Sequence, residues 1–485
     1  MRKKNAFRRI CLVLVLALTL GLFPAVHAEG PGVSWQESDI RFTPELSHLA
    51  VDSDLRGELI QPTELVRVSI VLEDKPTVQA GYDLCGIGQN AAAMAYDDAL
   101  LERQEALARV ISSRVLGGET LDVVWNLTLV GNAISANVPY GTIESIRRLD
   151  GVKTVVVEQR YEPDTAEGSL QPMTHGSGIM TGAQNAWSVG YTGAGSRVAV
   201  IDTGTDTDHQ SFDNGAFLYA LGQCAAEAGM EQSAYLESLD LLDVSELAGV
   251  LSRLNVAQRS GFSAGELYIS EKLPFGYNYV DGDLDVTHDR DGQGEHGSHV
   301  AGIAAANRLI PGEKGYVDAL EAVYAAGAAP DAQLLTMKVF GKRGGAYESD
   351  YMAAIEDSIL LGADAVNLSL GSSSPGFTYN SVYSDFLEYL EQTDLVVVMS
   401  AGNSGHWAKK AWTDGYLYND GVSFNTVGMP GSYTNAFTVA SVDNIGSVGA
   451  YFTAAGEKVF YSEYTAFGNR PLVSLDATAD GSGTD

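Results

Sequence analysis

Cysteine is scarce in this chain, whose 485 residues include three, at positions 11, 85 and 224. Cys11 falls in a predicted leader, and the other two lie in different predicted segments, so a disulfide framework is not supported. No histidine surrounds Cys224 in the sequence, and we interpret it as a small buried apolar residue rather than a nucleophile. The fold must therefore depend on its hydrophobic core.

Positive charge is also in short supply. Lys and Arg number 30 against 62 Asp and Glu, which gives a net charge of −32. A chain with this surplus of carboxylates cannot neutralise phosphate groups, which argues against nucleic acids and acidic membranes as partners. Because 45% of the residues are hydrophobic and 19% are charged, we expect a folded protein with a well-solvated acidic surface.

Long apolar runs are missing after the N-terminus. The run at residues 10–23 follows five basic residues and is shorter than the roughly 20 residues that span a bilayer. Small residues at Val26 and Ala28 then match a signal-peptidase site, so we predict a cleaved signal peptide at residues 1–28. The mature chain is predicted to be secreted or bound to the cell envelope, without a membrane span.

Residues 29–62 show no periodicity and are interpreted as a linker. The following segments alternate between strand and helix patterns. They are a strand at 66–72, a helix through Tyr96, Leu100, Leu107 and Ile111, a hairpin at 121–138 turning at Gly131–Asn132, a short helix, and a strand at 153–160. This β-α-β-β-α-β order predicts a ferredoxin-like α+β domain at residues 63–161. Such a fold carries no function by itself.

The remainder, residues 180–485, has a different pattern. Near-continuous apolar runs, typical of strands buried on both faces, occur at 197–202, 332–340, 363–370, 394–402 and 436–442. Helical segments separate them, which predicts an α/β fold with a parallel sheet flanked by helices. Residues 216–275 are helical and acidic and are interpreted as an insertion. In such sheets reactive groups gather beyond the carboxyl ends of the strands.

Three side chains lie at such positions. Asp202 ends the strand in VAVIDTGTD, His296 opens the helix in GEHGSHVAGIAA, and Asn403 follows the strand in VVVMSAGNSG. Taken singly, Asp202 could be a solvated strand-end residue and Asn403 an ordinary turn residue. Zinc at His296 and His299 fits poorly, because the intervening Gly297 and Ser298 match neither zinc-protease helix motif.

Together, the order Asp, His, Asn resembles the subtilisin-like serine proteases of peptidase family S8. NLSLGS at 367–372 and VGMPGSYTNAFTVASVDN at 427–444 extend the resemblance, and PFGYNYVDGDLDVTHD at 274–289 is similar to the cell-envelope lactocepin and C5a-peptidase group. The family implies a polypeptide substrate and an inhibitory propeptide of the I9 type at residues 63–161. It also implies a mature subtilisin-like domain that begins near residue 180.

The same resemblance implies a role for each matching residue. His296 would be the general base, Asp202 would orient its imidazole, and Asn403 would donate to the oxyanion. The strand residues Ser369, Leu370 and Gly371, together with Gly402, would bind the substrate backbone. No metal or other cofactor is implied by these residues, and we expect a monomer.

The family's nucleophile, in a G-T-S-x-A segment, does not occur in this sequence. We therefore expect an incomplete domain that is inactive as given, with a protease-associated insert beginning after about residue 445 and the serine further on. The alternative is a non-catalytic peptide-binding protein. The carboxylates between Asp281 and Asp291 suggest calcium, but position twelve counted from Asp281 is Gly292 rather than glutamate, so calcium stays unproven.

Overall fold

The computed structural model describes residues 60–82, 86–163, 174–371, 380–403, 427–433, 436–442, 451–454, 457–466 and 470–475. Within these ranges, none of the helices combines the length and apolar character needed to cross a bilayer. The described part forms one compact unit. Residues 1–59, which contain the predicted leader and most of the predicted linker, lie outside the described residues.

The N-terminal part of this unit is an antiparallel sheet with two helices. Its elements are β1 (Leu65–Leu72), α1 (Ala91–Arg114), β2 (Asp122–Leu127), β3 (Ala133–Pro139), α2 (Ile143–Arg147) and β4 (Val152–Val157). The strand order is β2-β3-β1-β4. Alternate residues of β1 and β3, such as Val68 and Ile134, pack with Ile111 of α1 in one buried cluster. The predicted β-α-β-β-α-β order is therefore present.

The predicted strand at 153–160 is divided in two. After β4 the chain leaves the antiparallel sheet and forms a separate short strand, β5 (Arg160–Pro163). β5 belongs to a three-stranded sheet whose other members come from the C-terminal part of the chain. Two short helices follow, α3 (Thr174–Met180) and α4 (Ala183–Ser188).

The C-terminal part is built on a six-stranded parallel sheet. Its elements continue as β6 (Arg197–Asp202), α5 (Asn214–Glu227), α6 (Gln232–Leu239), α7 (Val244–Val250), α8 (Asn255–Arg259), α9 (Ala264–Leu267), β7 (Phe275–Asn278), α10 (His296–Ala305), β8 (Leu309–Gly312), β9 (Gly315–Asp318), α11 (Ala319–Ala322), β10 (Gln333–Lys338), β11 (Ala346–Tyr347), α12 (Glu348–Leu360), β12 (Ala365–Leu368), β13 (Leu370–Gly371), α13 (Ser381–Leu390), β14 (Val396–Ser400), β15 (Phe437–Val439), β16 (Tyr451–Ala454), β17 (Glu457–Ala466) and β18 (Arg470–Leu475). The sheet order is β15-β14-β12-β6-β10-β7. Every residue of β10 is buried, as the continuous apolar pattern predicted. Helices α5–α9 lie in the stretch interpreted as an insertion, and β7 adds an edge strand that the apolar pattern had not indicated.

Helices α12 and α13 connect the two parts. The Trp125 indole nitrogen donates to Asp350 Oδ1 at 2.8 Å, and the Tyr383 and Ser69 hydroxyls are 2.8 Å apart. A Cβ added to Gly131 would lie 2.7 Å from the ring of Phe386. The antiparallel sheet therefore packs directly on these helices, and the two parts share a hydrophobic core.

Candidate active site

Asp202 is the last residue of β6 and is almost fully buried. Its position is fixed by the parallel register, in which β10 pairs Lys338 with Asp202. The backbone N–H of Thr203 donates to Asp202 Oδ1 at 2.7 Å. This contact fixes the orientation of the Asp202 carboxyl group beside the turn.

His296 is the first residue of α10, and its imidazole faces Asp202. The distance between His296 Nδ1 and Asp202 Oδ1 is 2.8 Å, which is that of a strong hydrogen bond. Of the His296 side chain, 15% remains exposed, so the ring is held on one side and accessible on the other. Sequence reasoning singled out these two residues, and the structure brings them together.

Two glycines allow the strand end and the helix start to approach this closely. A Cβ at Gly297 would overlap the carbonyl oxygen of Gly204, and a Cβ at Gly204 would overlap that of Val286. Gly204 also has φ 112°, a conformation that favours glycine. Thr203 completes the turn, because its Oγ1 accepts from the N–H of Gly297 at 2.8 Å. The small residues in DTG and HGSH are thus required by contact between the two motifs.

A buried ion pair lies beneath the same turn. Lys338 Nζ is 2.9 Å from Asp291 Oδ2, and both side chains are almost fully buried. The same Nζ donates to the backbone oxygen of Thr203. Lys338 therefore ties the loop that precedes His296 to the turn that follows Asp202. Nothing in the sequence pattern pointed to this lysine.

His299, the second histidine of α10, is half-buried and does not share the Asp202 contact. Burial lowers the pKa of His299, and the neighbouring His296 lowers it further. Among the described residues, no group of three or more acidic, histidine or cysteine side chains could hold a metal ion. Within the acidic loop, Asp281 instead accepts the backbone N–H groups of Lys342 and Arg343, at 2.9 and 3.1 Å.

The segment predicted to bind substrate contains β13. β13 pairs antiparallel with β5, so that Leu370 faces Pro163 and Gly371 faces Glu162. On its other side β5 pairs antiparallel with β11. The preceding Ser369 accepts at Oγ from the side-chain amide of Asn367 at 2.9 Å. The edges of β11 and β13 are therefore occupied by a strand from residues 160–163 of the same chain.

Asn403 lies three residues beyond β14 and is exposed. Gly402 before it has φ 87°, which lets the chain turn sharply as the strand ends. Because β14 and β6 run parallel in one sheet, both end at the edge where Asp202 lies. Ser404 and the residues after it to 426 lie outside the described residues.

The model of the subtilase family matches residues 193–481. The chain belongs to the subtilase family, and the predicted α/β fold and family resemblance are confirmed. It is 31% identical over 319 residues to the PII-type proteinase of Lacticaseibacillus paracasei, covering 65% of this chain and 14% of that protein. Identity to the minor extracellular protease Vpr of Bacillus subtilis is 27% over 327 residues, covering 64% and 29%. Identity to the C5a peptidase of Streptococcus pyogenes is 27% over 282 residues, covering 58% and 20%. The chain thus spans less than a third of the length of these relatives.

Proposed function

We propose that the chain is the precursor part of a secreted serine endopeptidase. The observation that carries this proposal is the 2.8 Å hydrogen bond between His296 Nδ1 and Asp202 Oδ1, at the sheet edge where β12 leads into β13. The predicted signal peptide and the similarity to an extracellular protease support secretion. We expect the protein to be a monomer.

In the proposed mechanism, Asp202 accepts a hydrogen bond from Nδ1–H of His296, so that Nε2 carries no proton and can act as a base. Nε2 then takes the proton of a serine hydroxyl as its oxygen attacks the peptide carbonyl carbon. Asp202 stabilises the imidazolium that forms, and Nε2 returns the proton to the leaving amine. Water, activated by the same imidazole, hydrolyses the resulting acyl-enzyme and releases the second product.

Asn403 is proposed to donate its side-chain amide to the oxyanion. Loss of one such donor lowers turnover by about 10²–10³ in subtilisin itself. Ser369, Leu370, Gly371 and Gly402 are proposed to hold the substrate backbone as an added strand. The exposed position of Asn403 beyond β14 is compatible with this role.

Residues 63–161 are proposed to be an inhibitory propeptide. β5, which continues from this domain, fills the edges of β11 and β13 with backbone pairs, and a substrate strand needs the same edges. The shared core with α12 and α13 holds the domain against the groove. The propeptide strand and the substrate strand would therefore compete for the same backbone hydrogen bonds of β11 and β13.

The 485 residues contain no G-T-S-x-A segment, so we propose that they do not hydrolyse peptides alone. The same observation favours a second candidate, a peptide-binding protein without catalysis. Reading the gene past codon 485 separates the two: a G-T-S-x-A segment supports the enzyme, and an immediate stop codon supports the binder. In an extended chain, His296→Ala should lower peptide hydrolysis by at least about 10⁴. Hydrolysis that survives this substitution would contradict the proposed mechanism.

A further inference from the structure

β5 places one large side chain in a pocket. As the middle strand of three, β5 pairs Tyr161 with Ala346 of β11. Tyr161 is fully buried although it lies on a four-residue strand. Its ring packs edge-on against Tyr351 of α12, with the ring centres 6.0 Å apart and the planes inclined by 71°. This geometry is the one that aromatic pairs favour.

The end of the pocket is polar. The phenol of Tyr161 faces the carboxyl of Glu348 and the hydroxyl of Tyr433. Burial raises the pKa of Tyr161 well above its usual value, and these two groups raise it further. Both Glu348 and Tyr433 are almost fully buried. A phenol that enters here therefore meets two polar side chains that water does not reach.

Asn380 holds these polar groups in place. Its side-chain nitrogen donates to Glu348 Oε2 at 2.8 Å, and its backbone N–H donates to the hydroxyl of Tyr433 at 3.3 Å. Glu348 Oε2 also accepts the backbone N–H of Gln159 at 3.2 Å. Because Asn380 also caps α13 through Val382 N–H at 3.1 Å, the network is anchored to a helix end rather than to a loose loop.

We propose that this pocket is a tyrosine-selective subsite for the peptide strand that occupies the groove. Glu348 and Tyr433 are the residues that distinguish tyrosine from phenylalanine. The inference rests on the proposed function, because it assumes that a substrate strand binds where β5 binds. A phenylalanine would offer no hydroxyl to Glu348 Oε1, a buried oxygen with no other hydrogen-bond partner among the described residues. A site built around a hydroxyl discriminates strongly against the analogue that lacks it.

The first test uses the intact chain and measures hydrogen exchange of the β5 amides. Tyr161→Phe should speed their exchange about tenfold or more, because the strand loses the contacts of its hydroxyl. Tyr161→Ala should speed it further, because the ring contacts are lost as well. Tyr389 lies on α13 but outside the pocket, so Tyr389→Phe should leave the exchange of the β5 amides unchanged. Exchange of Tyr161→Phe at the wild-type rate would overturn the proposal.

The second test measures peptide binding to the Tyr161→Ala chain, whose own strand is weakened. The probes are the acetylated, amidated peptide QRYEP, which corresponds to residues 159–163, and its phenylalanine analogue. The tyrosine peptide should bind about tenfold tighter or more, and added Glu348→Ala should reduce this ratio to near one. Glu348→Gln keeps an acceptor oxygen and should retain part of the preference for the tyrosine peptide. If Glu348 had only a structural role, its substitution would weaken the binding of both peptides equally.

The outcomes separate the two proposals. Equal binding of the two peptides contradicts the tyrosine-selective subsite and leaves the peptide groove standing. Binding of neither peptide, with the β5 amides fully exchanging, contradicts the proposed function itself. If the β5 amides stay protected in Tyr161→Ala, the peptides cannot enter the groove. The exchange rate of the β5 amides in Tyr161→Phe, compared with that in the wild-type chain, then decides whether the subsite is tyrosine-selective.

Discussion

Gly297 lies so close to Gly204 that a single added methyl group would overlap the Gly204 carbonyl oxygen. This contact joins the turn after Asp202 to the first turn of α10, and it sets the distance between the Asp202 carboxylate and the imidazole of His296. Both partners are backbone atoms, so neither can move aside as a flexible side chain would. The geometry of the dyad therefore depends on the absence of two side chains.

Gly297→Ala should push α10 away from the Asp202 turn. We expect a loss of about 1–3 kcal/mol in the free energy of unfolding, as for overpacked cores, together with a changed His296 environment. Chemical denaturation and histidine NMR measure the two effects. Gly302→Ala in the same helix is the matched control, because its added Cβ meets no atom within 4 Å. That variant should be stabilised by up to about 1 kcal/mol.

The buried pair of Lys338 and Asp291 should behave as a unit. Lys338→Met leaves the carboxylate of Asp291 buried without its partner and should cost about 3–5 kcal/mol of unfolding free energy. Adding Asp291→Asn should recover a large part of this loss. A double-mutant cycle by chemical denaturation checks the coupling. A loss in the double variant equal to the sum of the losses in Lys338→Met and Asp291→Asn would show that the pair is not coupled.

Glu356 should hold the antiparallel sheet on α12. Its Oε1 accepts three backbone N–H groups, from Leu129, Val130 and Gly131, at 3.1, 2.7 and 3.1 Å. Glu356→Ala removes the shared acceptor and should cost about 3 kcal/mol or more, since each buried donor left unpaired is costly. Hydrogen exchange should rise first at residues 129–131. The exposed Glu102 of α1 provides the control, and Glu102→Ala should leave these amides unchanged.

Stability should fall as the pH rises towards 8. Burial raises the pKa of Glu348 from 4.5 to about 8, with smaller opposing contributions from the hydrogen bonds of Gln159 and Asn380. The folded chain keeps this proton where the unfolded chain has lost it, so the contribution is full below pH 4.5 and is lost as the pH passes 8. The slope reaches about 1.4 kcal/mol per pH unit between these limits.

Glu348→Gln should flatten this dependence. The difference in unfolding free energy between pH 5 and pH 8 should be smaller in the variant than in the wild-type chain, as measured by urea denaturation at each pH. Glu102→Gln should leave the slope unchanged. An identical slope for wild type and Glu348→Gln would contradict the assigned proton. The comparison of variants matters here, because other buried carboxyls, such as Asp357 with a pKa raised to about 7, add to the total.

The parallel strands could be predicted from local signals, whereas the pairing of Asp202 with His296 was predicted from the resemblance to the subtilisin-like serine proteases. Buried strands read as continuous apolar runs, and Asp202 and His296 each end or begin a regular element. The position of β5 carried no such signal. Its partners Ala346–Tyr347 and Leu370–Gly371 are two-residue strands far along the chain, and pairing at that distance has no periodicity to read.

Helix α12 was understood only in part. Tyr351, Ile355 and Ile359 lie four residues apart, which is typical of a helix with one apolar face, but the structure buries every residue from Glu348 to Ser358. The antiparallel sheet covers the second face, where backbone N–H groups of residues 129–131 donate to Glu356 and the Trp125 indole donates to Asp350. The acidic residues of α12 therefore lie in the interface with the antiparallel sheet rather than in solvent. Their positions in the sequence do not indicate this, because the interface is formed by residues far away along the chain. The ion pair of Lys338 and Asp291 was not predicted either, because its two residues are also distant in the sequence.

If Asp202 orients His296 as a general base, it also fixes the tautomer of the His296 imidazole, which can be measured. Nitrogen-15 NMR of the histidine-labelled chain, with His296→Ala to identify the resonance among eight histidines, reports which ring nitrogen carries the proton. We expect the neutral ring to carry its proton on Nδ1 and to lose it from that position in Asp202→Asn. A neutral His296 protonated on Nε2 in the wild-type chain, unchanged by Asp202→Asn, would contradict this role of Asp202.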